Sequence, residues 1–282
     1  MLFSAVIPLL IMQVGPNPTV GAIPGVPEEM RDRPPRENAA PEAAQQQRSR
    51  LSQCLMRAGS DAQAALDYAQ AWREMAEPGE LAQTSHCAGL ALVRLGRFDE
   101  ALQAFEAARE ELEEPNPAYR ARLGGMAGHA AMAKGDSAAA LPYFESAVED
   151  AVASADARLV AGLQVDMARA LVSQQRPEDA AKALERARSE DPSNVRAWLL
   201  SATLSRRLER LGEAQRQIEY AATLDPRDPA IGLEAGVIAA LAGREEDARR
   251  SFQSVLDVAP ESEEAERART YLAQLPADGG GP

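Results

Sequence analysis

The side chains best equipped for chemistry in this 282-residue chain are two cysteines, Cys54 and Cys87, and two histidines, His86 and His129. Together they could be imagined around a metal ion. Structural zinc ligands, however, come as pairs at short spacing within one turn or helix, and these four do not form such a set. No metal site is expected. The motifs HExxH, GxSxG and CxxC and a phosphate-cradling glycine loop are all missing from the sequence, so none of the common hydrolytic, redox or nucleotide-binding chemistries has its signature here. The acidic runs EELEE (110–114) and EED (245–247) hold enough carboxylates for acid–base work. They fall where helix ends and turns are expected, and read as solvated faces. The expectation is a protein that is not an enzyme and carries no cofactor.

Composition narrows what must position these residues. A hydrophobic content of 45% can fill a core and 26% charged residues suit a folded, soluble chain, while aromatic content of only 4% argues against a β-sandwich. Alanine is abundant, so close helix packing and an all-α fold follow. The net charge of −13 would repel a phosphate backbone, and nucleic acid is not an expected partner. Positive charge is nearly all arginine, lysine occurring only at Lys134 and Lys182.

Residues 1–22, MLFSAVIPLLIMQVGPNPTVGA, place an apolar run ahead of turn-formers and small residues, as a secretory signal cleaved after Ala22 would. The run is too short for a stable membrane span, which needs about 20 apolar residues. Residues 23–44 are rich in proline and charge without apolar periodicity and read as a disordered linker. Folded structure is expected over 45–276, followed by a disordered tail at 277–282.

Within that region a pattern recurs. Ala101, Ala140, Ala180, Ala214 and Ala248 are spaced by 39, 40, 34 and 34 residues. Four residues after each stands Phe105, Phe144, Leu184, Ile218 or Phe252, and three further on Ala108, Ala147, Ala187, Ala221 or Val255. Offsets of four and three define one helical face. About a dozen residues earlier lies another small residue, Gly89, Gly128, Ala168, Ala202 or Gly236, inside a second apolar-periodic stretch. Each unit is therefore a pair of helices, with Gly96, Gly135 and Gly243 at the turn. Pro192, Pro226 and Pro260 end the later units. A weaker copy is expected at the front on Gly59, Ala64, Tyr68 and Ala71, and residues 261–275 should form a closing helix. A helical hairpin cannot cover its own apolar face, so the copies must stack.

These residues resemble the tetratricopeptide repeat family. Trp198 matches the family's early tryptophan, and Gly236, Gly243, Ala248, Phe252 and Pro260 its small, aromatic and terminal proline positions. The resemblance implies a right-handed superhelical solenoid of about six helix-turn-helix repeats plus a capping helix. The extra residues in the two longer spacings are expected in loops between repeats. The family also implies that the first helix of each repeat lines a concave groove where partners lie. On this chain those positions are His86, Leu90, Arg122, Met126, His129, Asp166, Arg169, Arg196, Thr203 and Arg206. Such a surface is more basic than the chain as a whole, which points to a protein or peptide partner with acidic groups. The lysines and asparagines of the family's two-carboxylate clamp are missing from these positions, so chaperone tails are not the expected ligand.

Cys54 and Cys87 fall on first helices of neighbouring repeats. In an exported chain they would form a disulfide tying the weak first repeat to the second; in a reducing compartment they would be two buried thiols. The reading is an exported scaffold, periplasmic or secreted, with a cytoplasmic adaptor as the alternative, a metal-dependent protein as a remoter one, and self-association through a solenoid end also open.

Overall fold

The computed structural model describes residues 42–113 and 115–276, with side chains from Arg50 onward. The signal-like segment 1–22, nearly all of the 23–44 linker and the 277–282 tail lie outside the described residues. Residues from Gln46 onward make up one compact unit.

Among the described residues every regular element is a helix: α1 (Glu42–Ser60), α2 (Ala62–Glu74), α3 (Pro78–Arg94), α4 (Phe98–Glu110), α5 (Pro117–Lys134), α6 (Ser137–Ala153), α7 (Ala157–Ser173), α8 (Pro177–Glu190), α9 (Val195–Arg207), α10 (Leu211–Leu224), α11 (Pro229–Leu241), α12 (Glu245–Val258) and α13 (Glu263–Gln274). They pair as six hairpins and a closing helix. Helix starts are chemically marked: the side chains of Asp61, Asn116, Asp136, Asp156, Asn194, Asp228 and Ser262 accept hydrogen bonds from backbone N–H groups of the first turn. Those donors have no partner inside the helix. Pro78, Pro117, Pro177 and Pro229 stand at first helical positions, where a missing N–H is harmless.

The turn inside a hairpin needs a left-handed residue. Gly96, Gly135 and Gly243 supply it with φ of 72°, 88° and 71°, and Gln175 and Glu209 take the same role at 59° and 61°. The last two carry a side-chain penalty that glycine avoids.

Packing within a hairpin rests on one size rule. Phe105, Phe144 and Phe252 are at most 1% exposed, and their rings lie directly over Gly89, Gly128 and Gly236. A Cβ added to these glycines would sit 2.6, 2.6 and 2.3 Å from ring carbons. Where the small residue is alanine, at Ala168 and Ala202, the partner four residues into the stripe is the narrower Leu184 or Ile218. Total volume across the pair is conserved, as close packing demands.

Three expectations are corrected. In the first hairpin the buried stripe of α2 is Ala65, Ala69 and Trp72, one residue later than Ala64, Tyr68 and Ala71; Ala64 and Ala71 are exposed. Asp61 alone joins α1 to α2, so the hairpin begins without the longer glycine turn used to align the copies. The extra residues of the long spacings are also mostly not loop. They lengthen helices, since α5 and α7 have 18 and 17 residues against 13 in α9 and α11, and α6 has 17 against 14 in α8 and α10. At the other boundary, α1 begins at Glu42, inside the segment read as linker.

Each helix from α2 to α13 packs on the next in sequence, and α5, α7, α9 and α11 also touch one another in order. These four first helices thus form one continuous layer.

Candidate functional site

Helices α5, α7 and α9 together build a groove of three adjoining cavities. The first is lined by Arg122, Met126 and His129 of α5 and by Arg158, Leu159 and Asp166 of α7. The second, of about 400 Å³, lies between His129, Met132, Phe144, Asp166, Arg169 and Arg196. The third lies among Met132, Arg169, Val172, Leu200, Thr203 and Arg207.

Asp166 is the hinge of this surface. Its side chain is only 13% exposed and it meets one imidazole and two guanidiniums. His129 Nε2–H donates to Asp166 Oδ2 at 2.8 Å, while Arg196 and Arg169 approach Oδ1 at 3.5 and 3.9 Å. Neither guanidinium comes within good hydrogen-bonding distance, so both keep unused donors. His129 is braced from behind by the edge-on ring of Phe144, centroids 5.4 Å apart. Arg122 stands 3.7 Å from Asp156 in a solvent-exposed pair, which leaves most of its field unscreened by contact. Arg158 and Arg207 are exposed and make no ion pair among the described residues. Five arginines therefore face the groove against one aspartate at its centre.

Of the ten sequence-derived positions, six line these cavities in addition to Asp166: Arg122, Met126, His129, Arg169, Arg196 and Thr203. Three do not. His86 is 5% exposed, its Nδ1 hydrogen-bonded to the Tyr119 hydroxyl at 2.8 Å and its Nε2 buried without a partner among the described residues. Burial pushes its pKa down to about 4 and the Tyr119 phenol up. Leu90 is half-buried against the apolar cluster around Phe105. Arg206 is committed to Glu234 by two bonds of 2.6 and 3.2 Å, with both side chains largely buried. Its charge is neutralised where it stands.

Cys54 and Cys87 are both fully buried with Cα atoms 6.1 Å apart, the usual separation of a disulfide. They sit with Ala69, Leu51 and Tyr68, so the sulfurs lie where α2 carries a small residue in place of the phenylalanine of later hairpins. The imidazoles of His86 and His129 are engaged with Tyr119 and Asp166, and among the described residues no group of three or more His, Cys, Asp or Glu side chains could hold a metal ion. Nor is any described helix long and apolar enough to cross a membrane.

The family model of the tetratricopeptide repeat matches residues 88–125, 165–214 and 200–263, which fall on α3–α5 and α7–α12 of the stacked hairpins. The chain is a tetratricopeptide repeat protein. Its fold is similar to that of PilW, described as a widely conserved type IV pilus biogenesis factor, with a TM-score of 0.63 at 16% identity over 80% of this chain and 99% of that one. It is equally similar to PilF of Pseudomonas aeruginosa, with a TM-score of 0.63 at 12% identity over 82% and 100%. YrrB, described as a tetratricopeptide repeat protein with an unusual peptide-binding site, aligns with a TM-score of 0.52 at 20% identity over 72% and 97%. Comparison with curated proteins finds no match.

As a tetratricopeptide repeat protein the chain departs from its family model at residues 126–164, the stretch containing lengthened α6 and the start of α7. Arg158 and Leu159 belong to that departure and were not among the expected groove positions; Arg207 was also missed. The family spacing cannot find a side chain on an added turn. Arg207 was findable, being one helical turn from Thr203 on the same face.

Proposed function

We propose that this tetratricopeptide repeat protein is a non-enzymatic scaffold of the bacterial cell envelope that binds an extended peptide or protein segment bearing acidic groups along α5, α7 and α9. The observation that carries this reading is the row of five arginines around one partly buried aspartate, lining contiguous cavities on a chain of net charge −13. Charge of this sign against the chain's own background selects an acidic partner and speeds its encounter. The rigid stacked helices lower the ordering cost on one side of the complex.

Envelope placement is supported by the signal-like residues 1–22 and by the pairing of Cys54 with Cys87, which is read as a disulfide formed after export. Mass spectrometry of the native protein tests it: a chain beginning at Ile23 with linked cysteines is expected, and an intact Met1 with two alkylatable thiols would place the protein in the cytoplasm. The groove is tested by titrating acidic peptides against the full chain and against an Arg122→Glu, Arg169→Glu, Arg196→Glu triple variant. Binding that weakens with salt and disappears in the variant is expected; equal binding by both proteins rules the groove out.

A further inference from the structure

The third cavity differs from its neighbours in kind. Its wall is apolar, formed by Met132 of α5, Val172 of α7, Leu184 of α8 and Leu200 and Leu204 of α9. At its mouth stand Arg169 and Arg207, both exposed. The two hydroxyls at the rim are already engaged: Ser173 donates to the Arg169 carbonyl and Thr203 to the Leu199 carbonyl, each at 3.1 Å. Unused hydrogen-bond donors at this mouth therefore belong to the two guanidiniums. Arg169 reaches Asp166 only at 3.9 Å and Arg207 has no ion-pair partner among the described residues. A guanidinium with free parallel N–H groups matches a carboxylate.

We propose that this cavity is an anchor pocket for one aliphatic or aromatic side chain of a bound peptide, whose neighbouring carboxylate rests on Arg169 and Arg207. This rests on, and deepens, the groove reading above. Three features select that occupant. The volume of about 260 Å³ falls just below the range of about 300–1,000 Å³ used by drug-sized ligands, and suits a single large side chain. The cavity opens beside the Asp166 cavity through the shared residues Met132 and Arg169, so an extended chain leaving the pocket continues along the arginine row. The guanidiniums, finally, require an anion within a residue or so of the anchor. An aspartate or glutamate side chain and a C-terminal carboxylate both meet that requirement.

Fluorescently labelled peptides on a glycine–serine background separate these cases by anisotropy against the full chain. One carries leucine beside a free C-terminal carboxylate, and a second leucine beside an internal aspartate with an amidated end. A third replaces leucine by alanine, and a fourth keeps leucine but has no carboxylate. Leucine should bind at least about tenfold tighter than alanine, given roughly 0.8 kcal/mol per buried CH₂ and tenfold per 1.4 kcal/mol. The preferred carboxylate is the one whose peptide binds tighter of the first two.

Leu200→Ser should erase the leucine preference. Arg169→Gln with Arg207→Gln should weaken the carboxylate peptides about tenfold and leave the fourth peptide unchanged. Leucine and alanine peptides binding alike, an unaffected Leu200→Ser variant, or no binding by any of the four would overturn the anchor pocket. So would displacement of the leucine peptide by decanoate at equal potency, which would make the occupant a small amphiphile. If instead the triple arginine variant still loses acidic peptides while leucine confers nothing, the groove stands and only the pocket falls.

Discussion

The pairing of glycine with phenylalanine, and of alanine with leucine or isoleucine, predicts the outcome of a double-mutant cycle at Gly236 and Phe252. This pair lies in the sixth hairpin, away from the arginine groove. In Gly236→Ala the new Cβ would fall 2.3, 2.5 and 2.8 Å from three ring carbons of Phe252, more than about 1 Å inside ordinary contact. Overpacking of this kind costs about 1–3 kcal/mol, and a ring 1% exposed has little room to move, so the upper part of that range applies. Helix propensity returns about 1 kcal/mol on replacing glycine by alanine. The net loss should be about 2 kcal/mol. Phe252→Leu alone leaves a partly filled cavity and loses the ring contact with Tyr271, whose centroid is 5.4 Å away; about 1–2 kcal/mol is expected. Together the two changes recreate the Ala168–Leu184 arrangement and should return stability to within about 1 kcal/mol of the starting protein. Urea denaturation at constant m, with amide exchange in α11 and α12 to catch local opening, reads all four corners. A coupling of about 2 kcal/mol is expected, and losses that simply add to within about 0.5 kcal/mol would refute the size rule.

Other consequences can be measured alongside. His86 is buried neutral with a pKa of about 4 against an ordinary 6.5, so the unfolded chain binds its proton first as pH falls. Its contribution is complete above pH 6.5 and declines towards pH 4, by about 3 kcal/mol in all; subtracting a His86→Gln melt series from that of the parent should reveal this slope, and a flat difference would refute it. Glu209→Gly, at a φ of 61°, should raise stability by about 0.5–1 kcal/mol in the same urea assay, because glycine removes the left-handed strain at a smaller entropic cost. Replacing Cys54 and Cys87 by serine should cost about 3–4 kcal/mol for a linked loop of 33 residues, whereas oxidised and reduced parent would melt alike if the pair were never joined. Arg206→Gln should destabilise by about 3 kcal/mol by stranding Glu234, while Arg196→Gln, on an exposed side chain, should leave the midpoint almost unmoved.

The hairpins could be read from the sequence because their cause is local. Offsets of four and three, glycines at turns and prolines at unit ends are each visible within about 34 residues, and the stripe Ala101, Phe105, Ala108 is fully buried as its spacing implied. The first hairpin went astray by one residue because Asp61 closes its turn alone. What the spacing could not reveal was which polar residue of a first helix looks into the groove and what it meets there. Arg196 and Arg206 are both arginines of α9, yet Glu234 on α11 captures the second and the shared Asp166 leaves the first with donors to spare. His86 and His129 likewise read alike, but Tyr119 covers the first. Those outcomes depend on side chains one repeat away, and on turns added to α5 and α7 that break the family's register.

On the proposed function, the groove face of α5, α7 and α9 meets the partner. A photo-crosslinking residue placed at Met126, at Leu159 or at Thr203, in the native cell, tests this most directly against the same residue at Glu149, which is exposed on the second helix α6. A shared crosslinked partner is expected from the three groove positions, lost with Arg169→Glu and Arg196→Glu, and none of it from Glu149. Capture of that partner from Glu149 alone, or from the groove positions regardless of the arginines, would contradict the proposed function.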